Sequence, residues 1–123
     1  MIALTLLLQA CKPEELLRVE KVVAPYTCYS RCEIYDLVAQ GNPTVVLDTA
    51  ILFVTRPLED ENGYISLLND VVYLEKDLSF KKSTVNYSLS GKFDGGSGLT
   101  ISSDIVKLDS NTRTKCVYTC TRQ

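Results

Sequence analysis

From Tyr26 to Ile34 the chain alternates with a period of two. Tyr26, Cys28, Ser30, Cys32 and Ile34 fall on one side and Thr27, Tyr29, Arg31 and Glu33 on the other, the signature of a half-buried strand. "TVVLDTAILFVT", from Thr44 to Thr55, is rich in β-branched residues and predicts a long strand after the Gly41-Asn42-Pro43 turn. "YISLL" and "VVYLE" read as a hairpin around Asn69-Asp70. In "TVNYSLSGKF", Val85, Tyr87, Leu89 and Phe93 alternate with Asn86, Ser88, Ser90 and Lys92 and predict one strand. "DGGSG" turns the chain into "LTISSDIVKL", and "DSNT" turns it into a last strand, "RTKCVYTCTR". "ELLRVEKVV" fits a short helix opened by Pro13 or an early strand. The expected class is all-β, a small antiparallel barrel or sandwich of about seven to eight strands that leaves room for one short N-terminal helix.

The cysteines sharpen this. Cys28 and Cys32 lie in the first strand, and Cys116 and Cys120 in the last. Residues four apart in a strand are separated by about 13 Å, while a disulfide needs Cα atoms within roughly 7 Å. Neither pair can close on itself within a strand. If the first and last strands run antiparallel side by side, facing residues have residue numbers of constant sum. Cys28 with Cys120 and Cys32 with Cys116 share that sum, and Ser30 then faces Tyr118. The terminal strands become adjacent and doubly stapled, which closes a meander into a barrel. The Cys32–Cys116 bridge alone is worth about 4–5 kcal/mol in the chain-entropy model. Cys28–Cys116 with Cys32–Cys120 remains the alternative for parallel neighbours or packed sheets. A four-cysteine zinc site and free thiols are further readings, the first disfavoured by ligands carried on strands.

Composition excludes several functions. At 123 residues the chain makes one domain, and 46% hydrophobic with 23% charged residues is ordinary for a folded protein. A net charge of −2, with Lys81-Lys82 the single basic doublet of the lysine-rich kind, offers no nucleic-acid footprint. There is no histidine, so the commonest general base and metal ligand is missing. "GGSGL" is neither a Gly-x-Ser-x-Gly elbow nor a phosphate loop. Asp94 and Asp104 are two carboxylates with nothing in the sequence to bring them together. No catalytic constellation, metal site or cofactor is expected.

The candidate binding residues lie in two polar stretches. "PLEDENGY" carries Glu59, Asp60, Glu61 and Tyr64, and "SGKFDGGSG" carries Ser90, Gly91, Lys92 and Phe93. Tyr26, Tyr87 and Tyr118 are expected to lean inward, and Tyr29, Tyr35, Tyr64 or Tyr73 to face partners. A small hydrophobic ligand between Val85, Tyr87 and Leu89 is the alternative to a protein partner.

Two resemblances bear on function. "MIALTLLLQAC" resembles the end of a bacterial lipoprotein signal peptide: Leu8, Ala10 and Cys11 match its lipobox, while Gln9 stands where Ala or Ser is commoner. This implies lipid on Cys11, a signal remnant at 1–10, a short tether at 11–18 and a single β domain at 19–123. It also implies display on the cell envelope, on the periplasmic face of an outer membrane if the source is Gram-negative, with four cysteines left for an oxidising compartment. Ser90, Gly91 and Lys92 resemble part of the inhibitory-loop motif of membrane-bound lysozyme inhibitors, which are small β-barrel lipoproteins; Phe93 and Asp94 depart from it. The expected function is therefore a non-enzymatic envelope lipoprotein that binds a protein, as an inhibitor or immunity module. The alternatives are a structural or assembly lipoprotein and a small-ligand barrel.

Overall fold

The computed structural model describes residues 13–57 and 62–123. Pro13 precedes helix α1, Glu14–Val22, which carries Glu14 and Glu15 in its first turn and Lys21 in its last, all favourably placed along the helix dipole. Residues Glu14 to Arg18, in the stretch expected as a tether, are thus the first turns of a helix. Eight strands follow: β1 Ala24–Asp36, β2 Thr44–Val54, β3 Tyr64–Leu67, β4 Asp70–Tyr73, β5 Ser79–Thr84, β6 Tyr87–Phe93, β7 Gly98–Lys107 and β8 Thr112–Arg122. Six form one antiparallel sheet in the order β2-β1-β8-β7-β6-β5, and β3 pairs with β4. The β3–β4 hairpin lies between β2 and β5, joined to the β2 end by the reciprocal Thr55–Ser66 backbone bonds of 3.0 and 2.8 Å. The result is an all-β meander curled into a small barrel, with its first and last strands side by side.

The cysteine register is the expected one. Cys28 faces Cys120, Ser30 faces Tyr118 and Cys32 faces Cys116, and both cysteine pairs are disulfide-bonded with Cα atoms 4.0 and 4.1 Å apart. No thiolate remains among these four for zinc or for nucleophilic attack.

The barrel interior is filled by side chains. Phe93 packs between Tyr26 and Phe80, each ring tilted against it with centroids 5.8 Å apart, among Ile65, Leu74, Leu89 and Ile101. Helix α1 covers one end through Val19 and Val22, and the Tyr26 hydroxyl donates to the Val22 carbonyl at 2.8 Å, satisfying a helix-end acceptor. Arg18 is buried there, donating to Glu14 and to the Tyr73 hydroxyl at 3.0 Å. On the far side Asp70 ties the small hairpin to the main sheet by accepting from Lys82 Nζ at 2.8 Å and from the Tyr87 hydroxyl.

Three elements differ from expectation. The stretch read as one strand from Thr84 contains the β5–β6 turn, so Val85 is 98% exposed rather than lining an interior; its alternation with Tyr87 and Leu89 is a coincidence of parity. Strand β5, "SFKKST", has too little apolar alternation to announce itself, and neighbours supply its pairing. The hairpin turn is Leu68-Asn69, both with positive φ, one residue earlier than expected. Asp70 belongs to β4, where its carboxylate holds Lys82 and Tyr87.

Candidate binding surface

The expected loop residues do not form one site. Glu59, Asp60 and Glu61 lie outside the described residues. Tyr64 opens β3, half-buried with its ring edge-on to Tyr73 at 5.3 Å. Ser90, Gly91, Lys92 and Phe93 belong to strand β6 rather than to a loop. Ser90 and Lys92 point outward, Gly91 pairs with Phe80, and Phe93 is buried in the core. Two strands, β4 and β5, separate Tyr64 from them in the meander. Asp94 and Asp104 are also apart, the first in the turn between β6 and β7 and the second within β7. Asp94 accepts from the Gly96 and Gly98 amides at 2.7 and 3.0 Å, and Asp104 is bound bidentately by Arg113 at 2.9 and 2.6 Å. Arg113 holds the Asp104 carboxyl below its ordinary value.

The structure assembles a different surface. β2 is the last strand of the six-stranded sheet, and both of its faces are exposed from Thr44 to Ile51. The sheet's outer face is set by the registers: Tyr29 lies between Thr49 and Thr119, and Arg31 between Leu47 and Val117. These six residues line an open groove of about 840 Å³. Along the same face of β2 stand Ile51 and Phe53, with Leu47 73%, Phe53 63% and Tyr29 64% exposed. Towards the tip the face becomes ionic: Arg31 pairs with Glu33 at 3.2 Å, and Glu33 accepts from the Tyr35 hydroxyl at 3.1 Å. Lys115 stands 5.9 Å from the centre of the Tyr35 ring.

Of the tyrosines expected at the surface, Tyr29 is exposed here and Tyr35 stands near the tip; the sequence reading did not name Leu47, Ile51, Phe53 or Val117. The signal was there in β2. A run apolar on both faces ordinarily means a strand covered on both sides, yet here it is an edge strand exposed almost throughout. Contiguous exposed apolar surface of this kind marks an interaction site more often than isolated exposed residues do. Among the described residues no cluster suited to a metal ion occurs, and no helix is long and apolar enough to cross a membrane.

No family model matches the chain, and no curated protein matches it. Among solved structures it is similar to the S-type phycobiliprotein lyase CPES from Guillardia theta, at 9% identity over 91% of this chain and 98% of that one, with a TM-score of 0.41. No conclusion follows from a likeness of that size.

Proposed function

We propose that this protein is a non-enzymatic binding module of a bacterial cell envelope, anchored by lipid on Cys11, that engages a protein partner through the outer face of β1, β2 and β8. The observation that carries the binding reading is the exposed apolar strip of Tyr29, Leu47, Ile51, Phe53 and Val117 on a doubly stapled, rigid sheet. Apolar and aromatic side chains held on strands lose little entropy on binding, and an aromatic beside an arginine is a common interface centre. The envelope reading is supported by Leu8-Gln9-Ala10-Cys11 and by two disulfides, which persist in oxidising compartments.

The test places a photo-crosslinking amino acid at Tyr29 in the native host, with a control at Val85 on the far hairpin. A discrete adduct at Tyr29, lost when Val117→Glu charges the neighbouring strand, supports the face as the binding site. Equal labelling at both positions overturns it. Mass spectrometry of the mature N-terminus tests the anchor separately; an unacylated Cys11 removes the envelope half of the proposal.

A second reading is favoured by the groove itself. Its volume of about 840 Å³ lies in the range of small-molecule sites, with Tyr29, Leu47 and Val117 as apolar lining and Arg31 as a cationic end. A small amphipathic ligand would then sit outside the filled barrel. Fluorescence titration with fatty acids separates the readings, since Val117→Glu abolishes ligand uptake only if the groove is the site.

A further inference from the structure

Strand β2 has one side bonded to β1 and one side open. The direction of its peptide groups follows from the ladders. Gln123 N–H donates to the Pro25 carbonyl at 3.0 Å, so odd-numbered residues of β1 direct their peptide groups to β8 and even-numbered ones to β2. The even-numbered residues of β2 therefore bond to β1. Its odd-numbered residues, Val45, Leu47, Thr49, Ile51 and Phe53, direct N–H and C=O outward. Thr55, next in the same parity, bonds outward to Ser66. Among the described residues no strand pairs with the other five. The Thr49 N–H is held instead by the adjacent Asp48 carboxylate at 2.8 Å.

Edge strands are normally blunted by lysine, proline or bulges. The other end of the sheet follows that rule, since β5 carries Lys81 and Lys82. β2 has no lysine, arginine or proline, and Asp48 is its single charge.

We propose that β2 pairs with β2 of a second copy of this chain, antiparallel about a two-fold axis at Thr49. The register is self-complementary. Val45 lies opposite Phe53 of the second copy, Leu47 opposite Ile51, and Thr49 opposite Thr49, so every outward peptide group finds a partner. The side chains that meet on the outer face are apolar except at the axis, where threonine meets threonine, a favourable cross-strand pair. Asp48 faces Ala50 of the second copy rather than its own symmetry mate, so the one charge on the edge meets no like charge directly. A register shifted to place the axis at Asp48 sets the two carboxylates opposite each other and is disfavoured. Each strand brings eleven residues, about half of the roughly 20–30 a side in a standard interface. The dimer belongs to the weak, reversible class, with a Kd on the order of 10 μM.

This goes beyond the proposed partner site, which uses the outer face rather than the edge, and the two fail separately. The experiment is sedimentation equilibrium of the full chain carrying Cys11→Ser, so that neither lipid nor a fifth thiol joins molecules. It is combined with residue-resolved hydrogen exchange over the same concentrations. The expected result is a monomer–dimer equilibrium in which the amides of Val45, Leu47, Ile51 and Phe53 slow as concentration rises, while those of Val46, Ala50 and Leu52 are protected throughout. Thr49→Pro removes two central hydrogen bonds without touching the β1 ladder, because its N–H points away from β1. It weakens the dimer by about tenfold or more. Thr49→Lys, which sets two ammonium groups face to face, does the same if the proline variant folds poorly. A chain monomeric to about 1 mM, where a Kd of this class would leave it mostly dimeric, overturns the proposal. Association that both variants leave unchanged overturns it too. So does protection of the odd-numbered amides that appears only when a different protein is added, which assigns the edge to a foreign strand. Val117→Glu, the test of the face, leaves the dimer intact.

Discussion

Phe80 lies flat over the bare backbone of Gly91: a Cβ on Gly91 would stand 2.4 Å from Phe80 Cζ and 2.8 Å from the Thr100 carbonyl oxygen. The two residues are direct cross-strand partners in β5 and β6. Only glycine lets the ring fold down onto the sheet and reach Phe93 behind it. Gly91→Ala should therefore destabilise the fold by about 2–3 kcal/mol through overpacking. Chemical denaturation measures it, and Phe80→Leu in the same chain should recover part of the loss. Full additivity of the two changes would mean that the contact is not the cause.

The two disulfides differ in their surroundings. Cys28 and Cys120 are buried in the core cluster, whereas Cys32 and Cys116 lie outside it and Cys32 is only half-buried. Each bridge alone keeps the terminal strands joined, and removing the other opens only a ring of about ten residues, a loss of about 2–3 kcal/mol in the chain-entropy model. Replacing Cys28 and Cys120 by alanine should cost more than replacing Cys32 and Cys116, because it also leaves a void among packed side chains. Removing all four should cost a further 4–5 kcal/mol or about that, enough to unfold a domain of ordinary stability. Guanidinium midpoints of the three variants decide the order.

Asp104 gives the fold a defined acid response. The hydrogen bonds from Arg113 depress its carboxyl below the ordinary 3.8 against the opposing push of burial. A depressed native value means that stability is present above the unfolded carboxylate value and is lost as pH falls through the native one. Asp104→Asn should thus cost less than about 1 kcal/mol at neutral pH, since both partners are partly exposed. The gap to the unsubstituted chain should close as pH falls below about 4. A gap independent of pH would assign the cost to packing.

Tyr26→Phe isolates one hydrogen bond. The hydroxyl that reaches the Val22 carbonyl is buried, and its loss leaves a helix-end acceptor unpaired, a cost of about 1–2 kcal/mol. Faster hydrogen exchange in α1 than in the sheet would show that this bond docks the helix; uniform change would show that it supports the whole core instead.

The sequence alone determined the strand-rich class and most turns, and it offered the end-strand register beside the alternative pairing of Cys28–Cys116 with Cys32–Cys120. Each is a local or pairwise property: side-chain period, turn chemistry, and two cysteine pairs with the same spacing that admit one antiparallel register. Local pattern failed where the information was not local. Strand β5 exists because β6 needs a partner, and the turn at Val85-Asn86 carries no glycine or proline to mark it. Local pattern left "ELLRVEKVV" open between a helix after Pro13 and an early strand, and the packing of Val19 and Val22 in the core accompanies the helix. The exposed apolar face depended most on tertiary structure. "TVVLDTAILFV" has the composition of a strand covered on both sides, and composition reports how apolar a strand is, not whether a neighbour lies over it. Only the strand order, with β2 at the end of the main sheet, leaves that strand open to water.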